Sequence, residues 1–282
     1  MATTARFEES RVHAAAALEV AERLRNRSAL ADALWVNALC CLAGGDFAAV
    51  REYSDRGLQH YPKGGRLLAL RAMLEYETGN FAEGETYLER VREQVVPIPS
   101  PSTSIVWGVY VGLVTAAARI TGVKAVEIDD AMTLTHRAAL ERYPEYIGQL
   151  NAGLGLMATY RGDGAQARAY YAQLLTRRGS MNPSLACSSY DRILGLLAQA
   201  FRDLDGAAVH FEDAVSLCGK SGHRPEEAWS AFDYAELLVQ RGGPGDPDQA
   251  AALYDRALAI SRELGMRPLM EQVLSRRSIL SA

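Results

Sequence analysis

Several residues in this chain of 282 could support chemistry, and the first to consider is a lysine that follows a glycine. A phosphate-binding loop needs two glycines five positions apart, followed by lysine and a hydroxyl residue. Gly219-Lys220-Ser221 supplies the end of that motif, but Ala214 stands where the first glycine must be. The segment also follows a helical pattern rather than a strand. We therefore expect no nucleotide site at this position.

The residues that bind metals or act as acids, bases and nucleophiles are scattered along the chain. They show neither a His-Glu-x-x-His helix nor a Cys-x-x-Cys pair. They are His13, His60, His136, His210 and His223, with Cys40, Cys41, Cys187 and Cys218. Adjacent carboxylates such as Glu226-Glu227 point to different sides of a helix. The sequence therefore predicts no catalytic residue, no metal site and no cofactor, and buried free thiols in a reducing cytosol.

The elements that carry these residues are predicted to be helices, because Ala, Leu, Glu and Arg recur with a 3.6-residue spacing. Gly45-Asp46-Phe47 recurs 34 residues later as Gly79-Asn80-Phe81, and this period is the length of a tetratricopeptide repeat, a pair of helices joined by a tight turn. In each copy the glycine suits the left-handed residue that ends the first helix. The Asp or Asn can cap the second helix. Asn182 before Pro183 predicts a similar start for a later helix.

The repeat pattern predicts a single all-α unit over residues 1–282, a right-handed superhelix (α-solenoid) of tetratricopeptide-like helix-turn-helix repeats. The expected elements are a partial repeat at 5–25, six helix pairs and a C-terminal capping helix at 267–280. The pairs span 28–61 (28–43 and 47–61), 64–95 (64–78 and 81–95), 103–142 (103–121 and 123–142), 145–178 (145–160 and 164–178), 183–219 (183–202 and 205–219) and 225–264 (225–241 and 247–264). Residues 5–25 resemble the second helix of a repeat whose first helix is missing. We expect either a natural start further upstream or an exposed flank that docks on another element.

A surface for recognition remains when reaction chemistry is absent. In such arrays, regularly spaced positions on the first helix of each pair line the concave face, and Trp, Tyr and Arg are the residues that most often anchor interfaces. The candidate concave surface consists of Asp32, Trp35, Arg66, Tyr76, Gln149, Arg192, Gln199, Trp229 and Glu236. The alternative is that the aromatic residues belong to the core between repeats and that Arg66 and Arg192 are solvated.

Charge and hydropathy exclude two classes of partner. The net charge of −4 and the pI of about 5.8 leave no broad basic field for nucleic acid. Residues 105–118 carry no charge, but Arg119 ends the run after 14 residues, short of the roughly 20 that span a bilayer. The N-terminus, MATTARFEES, has no apolar signal core. We expect a cytoplasmic protein with a buried apolar helix and no membrane partner.

The C-terminal part of the sequence supports a family resemblance. Residues 204–277 run LDGAAVHFEDAVSLCGKSGHRPEEAWSAFDYAELLVQRGGPGDPDQAAALYDRALAISRELGMRPLMEQVLSRR. The segment resembles the C-terminal tetratricopeptide regions of bacterial multidomain adenylate/guanylate cyclases and of LuxR/MalT-type (STAND ATPase) regulators. The segments LRAMLEYETGNFAEGETYLERV, ARITGV and DRILGLLAQ are similar to the same family. The resemblance is weaker over residues 124–180.

The resemblance implies a non-catalytic arm that senses a partner or ligand and restrains an ATPase. The sequence contains no cyclase domain, Walker motif or helix-turn-helix end, so no functional residue is carried over from the family. A fragment or stand-alone relative of the arm would bind a protein or peptide, such as an upstream ATPase or cyclase domain. A second hypothesis is a small-molecule sensor with a pocket near Trp107, Tyr110 and Arg192. A cofactor-free enzyme, the third, would require titratable groups clustered in a cleft.

Overall fold

The computed structural model describes residues 2–24, 26–95, 100–123, 128–141, 143–182 and 187–280. This part of the chain is almost entirely helical, which confirms the predicted all-α class. Its helices are α1 (Ala2–Leu24), α2 (Arg27–Gly44), α3 (Phe47–His60), α4 (Gly65–Thr78), α5 (Phe81–Val95), α6 (Pro101–Thr121), α7 (Asp130–Leu140), α8 (Pro144–Arg161), α9 (Gly164–Leu174), α10 (Tyr190–Ala200), α11 (Leu204–Ser221), α12 (Arg224–Arg241), α13 (Asp246–Leu264) and α14 (Arg267–Leu280).

The helix starts and stops follow the local chemistry that the sequence suggested. Gly45 ends α2 with φ of +88° and Gly79 ends α4 with φ of +80°, the left-handed conformation that glycine adopts most readily. The Asp46 carboxylate accepts a hydrogen bond from the Ala49 amide and so caps α3. The Asn80 side chain instead donates to Glu75 at 2.7 Å and accepts from Arg267 at 3.0 Å. Local turns therefore set the helix bounds, while Asn80 serves a tertiary contact.

One helix start differs clearly from the sequence prediction. A helix was expected to begin at Pro183, capped by Asn182, but α10 begins at Tyr190 and the Ser189 side chain accepts from the Asp191 amide. Strand β1 (Met181–Asn182) pairs antiparallel with β2 (Ser188–Ser189), and Pro183 lies outside the described residues. The backbone of Asn182 is held in this two-stranded ribbon, so it cannot adopt the cap that the Asn-Pro pair suggested.

Two other helices are shorter than predicted. Val123 is not helical and residues 124–127 lie outside the described chain, so the helix predicted over 123–142 is observed as α7 from Asp130, capped by Asp129. The helix predicted over 164–178 is α9, which ends at Leu174 and continues as a 3₁₀ turn over Leu175–Arg177.

Each helix packs against the next along the chain, and α10 also contacts α8. The later helices then return onto the earlier ones. Helix α12 contacts α2, α14 contacts α4 and α6, and α1 contacts α11. The buried apolar side chains of α2 through α14 form one connected core. This return brings helices that are far apart in sequence to the same interior.

Helix α6 lies inside this core. Its segment Thr103–Thr121 is long and apolar enough to cross a membrane by length and composition, but 72% of that segment is buried in the fold. Gly108 lies against the backbone of Leu150 in α8, and Gly153 of α8 lies against the Gly108 carbonyl. The backbones of α6 and α8 are therefore in direct contact at this crossing.

Candidate binding groove and buried polar cluster

A groove of about 590 Å³ opens between the N-terminal halves of α2, α4, α6 and α8 and the turn that precedes α4. Four of the nine residues predicted for the concave surface line it, and they come from three helices. They are Asp32, Trp35, Arg66 and Gln149. We refer to this feature as the binding groove.

Arg66 is held in the binding groove by two neighbours. Its guanidinium lies over the Trp35 ring, 4.4 Å from the ring centroid, and it donates a hydrogen bond to the Asp32 carboxylate. A cation above an indole face is attracted by the ring quadrupole. The pair of contacts fixes the guanidinium plane before any ligand arrives, while 44% of the Arg66 side chain remains exposed.

Residues that the sequence did not single out complete the binding groove. Lys63 and Tyr61 come from the turn before α4, and Tyr146 from the first turn of α8. All three are exposed. Leu67, Ile105 and Val106 supply apolar lining from α4 and α6. The analysis of helical faces missed the turn residues because they lie outside the regular helical spacing; the short run of Lys63, two glycines and Arg66 was the available indication.

Polar groups without partners also face this region. Gly64 precedes α4 without a side-chain cap, so the first amides of α4 lack the acceptor that Asp46 supplies to α3. The buried Oε1 atom of Gln149 has no hydrogen-bond partner within the described residues.

The remaining predicted surface residues lie elsewhere. Tyr76 and Trp229 are buried, at 4% and 5% exposure, and so cannot belong to an open surface. The Tyr76 hydroxyl donates to Glu85 at 2.7 Å. Gln199 donates to Gln240 at 2.6 Å, and Glu236 pairs with Arg276 at 2.9 Å near the C-terminal end. Tyr76 is buried by packing on Phe81 and Gly84 of α5. Trp229 is buried by the return of α12 onto α4, where it meets Glu77.

Arg192 and Trp229 belong to a buried polar cluster between α4, α6, α10 and α12. We define it as Glu77 of α4, Arg119 of α6, Arg192 of α10, and Glu226, Trp229 and Asp233 of α12. The Trp229 indole N–H donates to both Glu77 oxygens, at 2.8 and 2.9 Å.

Two arginines connect the carboxylates of this cluster. Arg192 donates to Asp233 at 2.7 Å and to Glu226 at 3.0 Å, and Arg119 donates to Asp233 at 2.6 Å. Glu226 also accepts from the Ser189 amide at 2.8 Å. These bonds join α6 and α10 to α12. The cluster therefore holds the two halves of the chain together through polar contacts that burial strengthens.

Burial affects the carboxylates of the cluster unequally. Desolvation raises the pKa of Glu77 to about 7, against weaker lowering by the Trp229 N–H and Arg192. Desolvation also raises the pKa of Glu226. Burial alone would raise the pKa of Asp233, but Arg119 and Arg192 outweigh it and the pKa is lowered. Glu77 is thus the member of the cluster whose charge changes near neutral pH.

A cavity of about 40 Å³ lies beside the cluster, lined by Arg119, Arg192, Trp229 and apolar side chains. Because one water needs roughly 10–15 Å³ measured in this way, the space fits a few waters rather than an organic ligand. Trp107 and Tyr110 do not line it; both are buried in the core, where the Trp107 ring stacks on His136 with centroids 4.8 Å apart. Trp107, Tyr110 and Arg192 therefore do not line a common pocket, as the small-molecule hypothesis required.

Within the described residues, no three His, Cys, Asp or Glu side chains are grouped so that they could hold a metal ion. No protein-family model matches the chain, and no curated protein matches it at a significant level. The functional argument therefore depends on the geometry of the binding groove and of the buried polar cluster.

Proposed function

We propose that the chain is an α-solenoid of tetratricopeptide-like helix pairs that acts by binding and not by catalysis. Helices ten elements apart contact each other, as in α1 with α11, α2 with α12 and α4 with α14. Contacts at or near this interval, which include α6 with α14, are compatible with a superhelix whose later repeats return onto the earlier ones. The family resemblance adds the role: the regulatory arm, or a relative of that arm, of a bacterial signalling ATPase, cyclase or transcriptional regulator.

The observation that carries this proposal is the arrangement of Arg66 over Trp35 in the open binding groove. Arginine and tryptophan are the side chains that most often dominate binding energy, and a preset geometry lowers the entropy lost on binding. The partner we propose is a protein or peptide, such as the ATPase or cyclase domain of the same signalling system. Nucleic acid and membrane are not proposed as partners.

Non-catalytic action is supported by where the unusual ionisable groups lie. Glu75 and Glu77 have strongly shifted pKa values, and both are buried in contacts with arginine or tryptophan side chains. Reactive groups with shifted pKa values in enzymes usually face a cleft that substrate can enter. In this chain, these shifts accompany contacts that join helices, which suits a structural role.

A second candidate function is a small-molecule sensor. The volume of the binding groove, about 590 Å³, falls within the range of pockets that bury small ligands. The interior cavity beside the buried polar cluster is too small for this role. A sensor would therefore use the binding groove at the N-terminal ends of the helices and not a site within the superhelix.

A tail exchange tests the main proposal. We would replace the tetratricopeptide tail of a class III cyclase with this chain and measure cyclase activity beside the tail-less enzyme. We expect the chain to restrain activity, and the double variant Trp35→Ala, Arg66→Gln to lose that restraint. Arg56→Gln is the matched control, because Arg56 pairs with Glu22 across the same 34-residue interval as Arg66 with Asp32 but does not line the binding groove. Activity equal to that of the tail-less enzyme would count against the proposal.

A further inference from the structure

We infer that the binding groove takes a small organic acid, in which one anionic group is attached to an apolar or aromatic body. The inference rests on the proposed function as a binding module, since it names the class of ligand for the same groove. It is carried by the charge of the lining residues, by their apolar and aromatic surface and by the volume they enclose.

The charge of the binding groove is opposite to that of the whole chain. Lys63 and Arg66 face a single carboxylate, Asp32, among the lining residues, whereas the chain has a net charge of −4. No hydrogen bond or ion pair involves Lys63 in the described part of the chain. Asp32 holds Arg66 through one of its terminal nitrogens, so other N–H groups of the guanidinium are available to an anion.

The start of α4 adds to this positive character. Its first amides lie between Lys63 and Arg66 and have no side-chain cap, and the N-terminus of a helix carries a partial positive charge. The helix end supports the charge argument, which stands on the two side chains and the volume of the groove.

The remaining lining residues define the body of the ligand. Trp35, Tyr61 and Tyr146 offer aromatic faces, and Leu67 and Val106 offer aliphatic surface. The Gln149 side chain adds a polar group to the lining, with which a hydrogen-bonding group on the ligand body is compatible. A volume of about 590 Å³ accommodates a molecule with one or two rings.

Indole-3-acetate and its neutral amide, indole-3-acetamide, are suitable probes because they share the ring and the N–H and differ in charge. We would measure their binding to the full chain by isothermal titration calorimetry. We expect the acid to bind at least about tenfold more tightly than the amide, and we expect added salt to weaken the binding of the acid only. Equal affinity for the two compounds, or heat from neither at millimolar concentration, would overturn the inference.

Variants locate the site and separate this inference from the proposed function. Lys63→Gln and Arg66→Gln are each expected to lower the affinity for the acid about tenfold and to leave the affinity for the amide unchanged. Arg56→Gln, outside the groove, is expected to change neither, and thermal unfolding checks that each variant folds. An equal loss of affinity for the acid in Arg56→Gln and Arg66→Gln would contradict the location of the site in the binding groove. If an acidic peptide binds in the groove and the acid does not, the small-ligand inference fails while the proposed interaction function stands.

Discussion

Glu75 and Glu77 lie on the same helix, both are buried, and their pKa values move in opposite directions. Burial would raise the pKa of Glu75, but hydrogen bonds from Arg51, Asn80 and Arg71 lower it to about 2. Glu77 has only the Trp229 N–H and a distant Arg192 against its desolvation, so its pKa rises to about 7. The difference shows that partner number, rather than burial alone, decides the charge of a buried carboxyl group.

The raised pKa of Glu77 predicts a specific dependence of stability on pH. The folded state keeps the Glu77 proton at a pH where the unfolded state, with a pKa near 4.5, has lost it. The stabilisation is therefore full below about pH 4.5 and is lost as pH rises toward 7, by an amount on the order of 3 kcal/mol. Glu77→Gln, which cannot ionise, should lack this loss.

Urea unfolding of both proteins at pH 5 and pH 7.5 measures this effect. The stability of the wild type relative to Glu77→Gln isolates Glu77, because His136 and His223, whose pKa values burial lowers, titrate in both proteins. Parallel pH profiles for wild type and variant would show that Glu77 does not titrate in this range.

Loss of the Glu75 carboxylate should cost much more than loss of an exposed one. Glu75→Ala removes the buried carboxylate that pairs with Arg71, whose side chain is 7% exposed. Asp55 and Glu83 still pair with Arg71, so we expect a cost of about 3 kcal/mol, the lower end of the range for breaking a buried pair. Glu89→Ala is the matched control, since Glu89 pairs with Arg92 at the surface, where a pair contributes about 1 kcal/mol or less. Chemical denaturation of the two variants compares the costs, and similar values would contradict the argument.

Helix bounds could be predicted from the sequence wherever the start and stop are local. Gly45 and Asp46 specify the α2–α3 turn through a left-handed glycine and a side-chain cap. The start of α10 could not be predicted in this way, because β1 pairs with β2 and this pairing overrides the cap that Asn182 could supply. The competing interaction is tertiary, and no residue next to Asn182 indicates it.

The contact between α6 and α8 depends on glycine at the crossing. A Cβ atom at Gly153 would lie 2.4 Å from the Gly108 carbonyl oxygen, and a backbone atom cannot move aside as a flexible side chain can. Gly153→Ala should therefore destabilise the fold by about 2 kcal/mol, despite the better helix propensity of alanine.

Gly44→Ala provides the control for this prediction. Gly44 lies in the last turn of α2, and a Cβ atom there meets nothing within 4 Å. We expect this variant to be as stable as the wild type or slightly more stable. Thermal unfolding of both variants distinguishes steric overlap from a general effect of glycine replacement; a Gly153→Ala protein as stable as Gly44→Ala would contradict the close approach.

At the scale of the whole molecule, the sequence predicts part of the site. Helical spacing placed Asp32, Trp35 and Arg66 on first helices of their pairs, and the binding groove brings them together. Tyr76 and Trp229 follow the alternative prediction, in which the aromatic residues belong to the core. The partner of Trp229 could not be predicted, because Glu77 is 152 residues away. The return of α12 onto α2 and α4 depends on the sum of many small rotations between helices, which no local pattern encodes.

The return of the chain has a consequence for recognition. The buried polar cluster fills the interior between α4, α10 and α12, so a partner cannot enter there without breaking the bonds of Arg192 and Glu77. The binding groove, outside this contact, remains accessible. The contacts of α11, α12 and α14 with α1, α2 and α4 are thus the feature on which the location of the binding surface depends.

Small-angle X-ray scattering of the monomer tests these contacts most directly. A compact chain of this length is expected to have a radius of gyration of about 19 Å. We predict a value close to this one for the wild type at pH 6. A radius of gyration several ångströms larger, as for an open superhelix in which α11, α12 and α14 do not contact α1, α2 and α4, would contradict it.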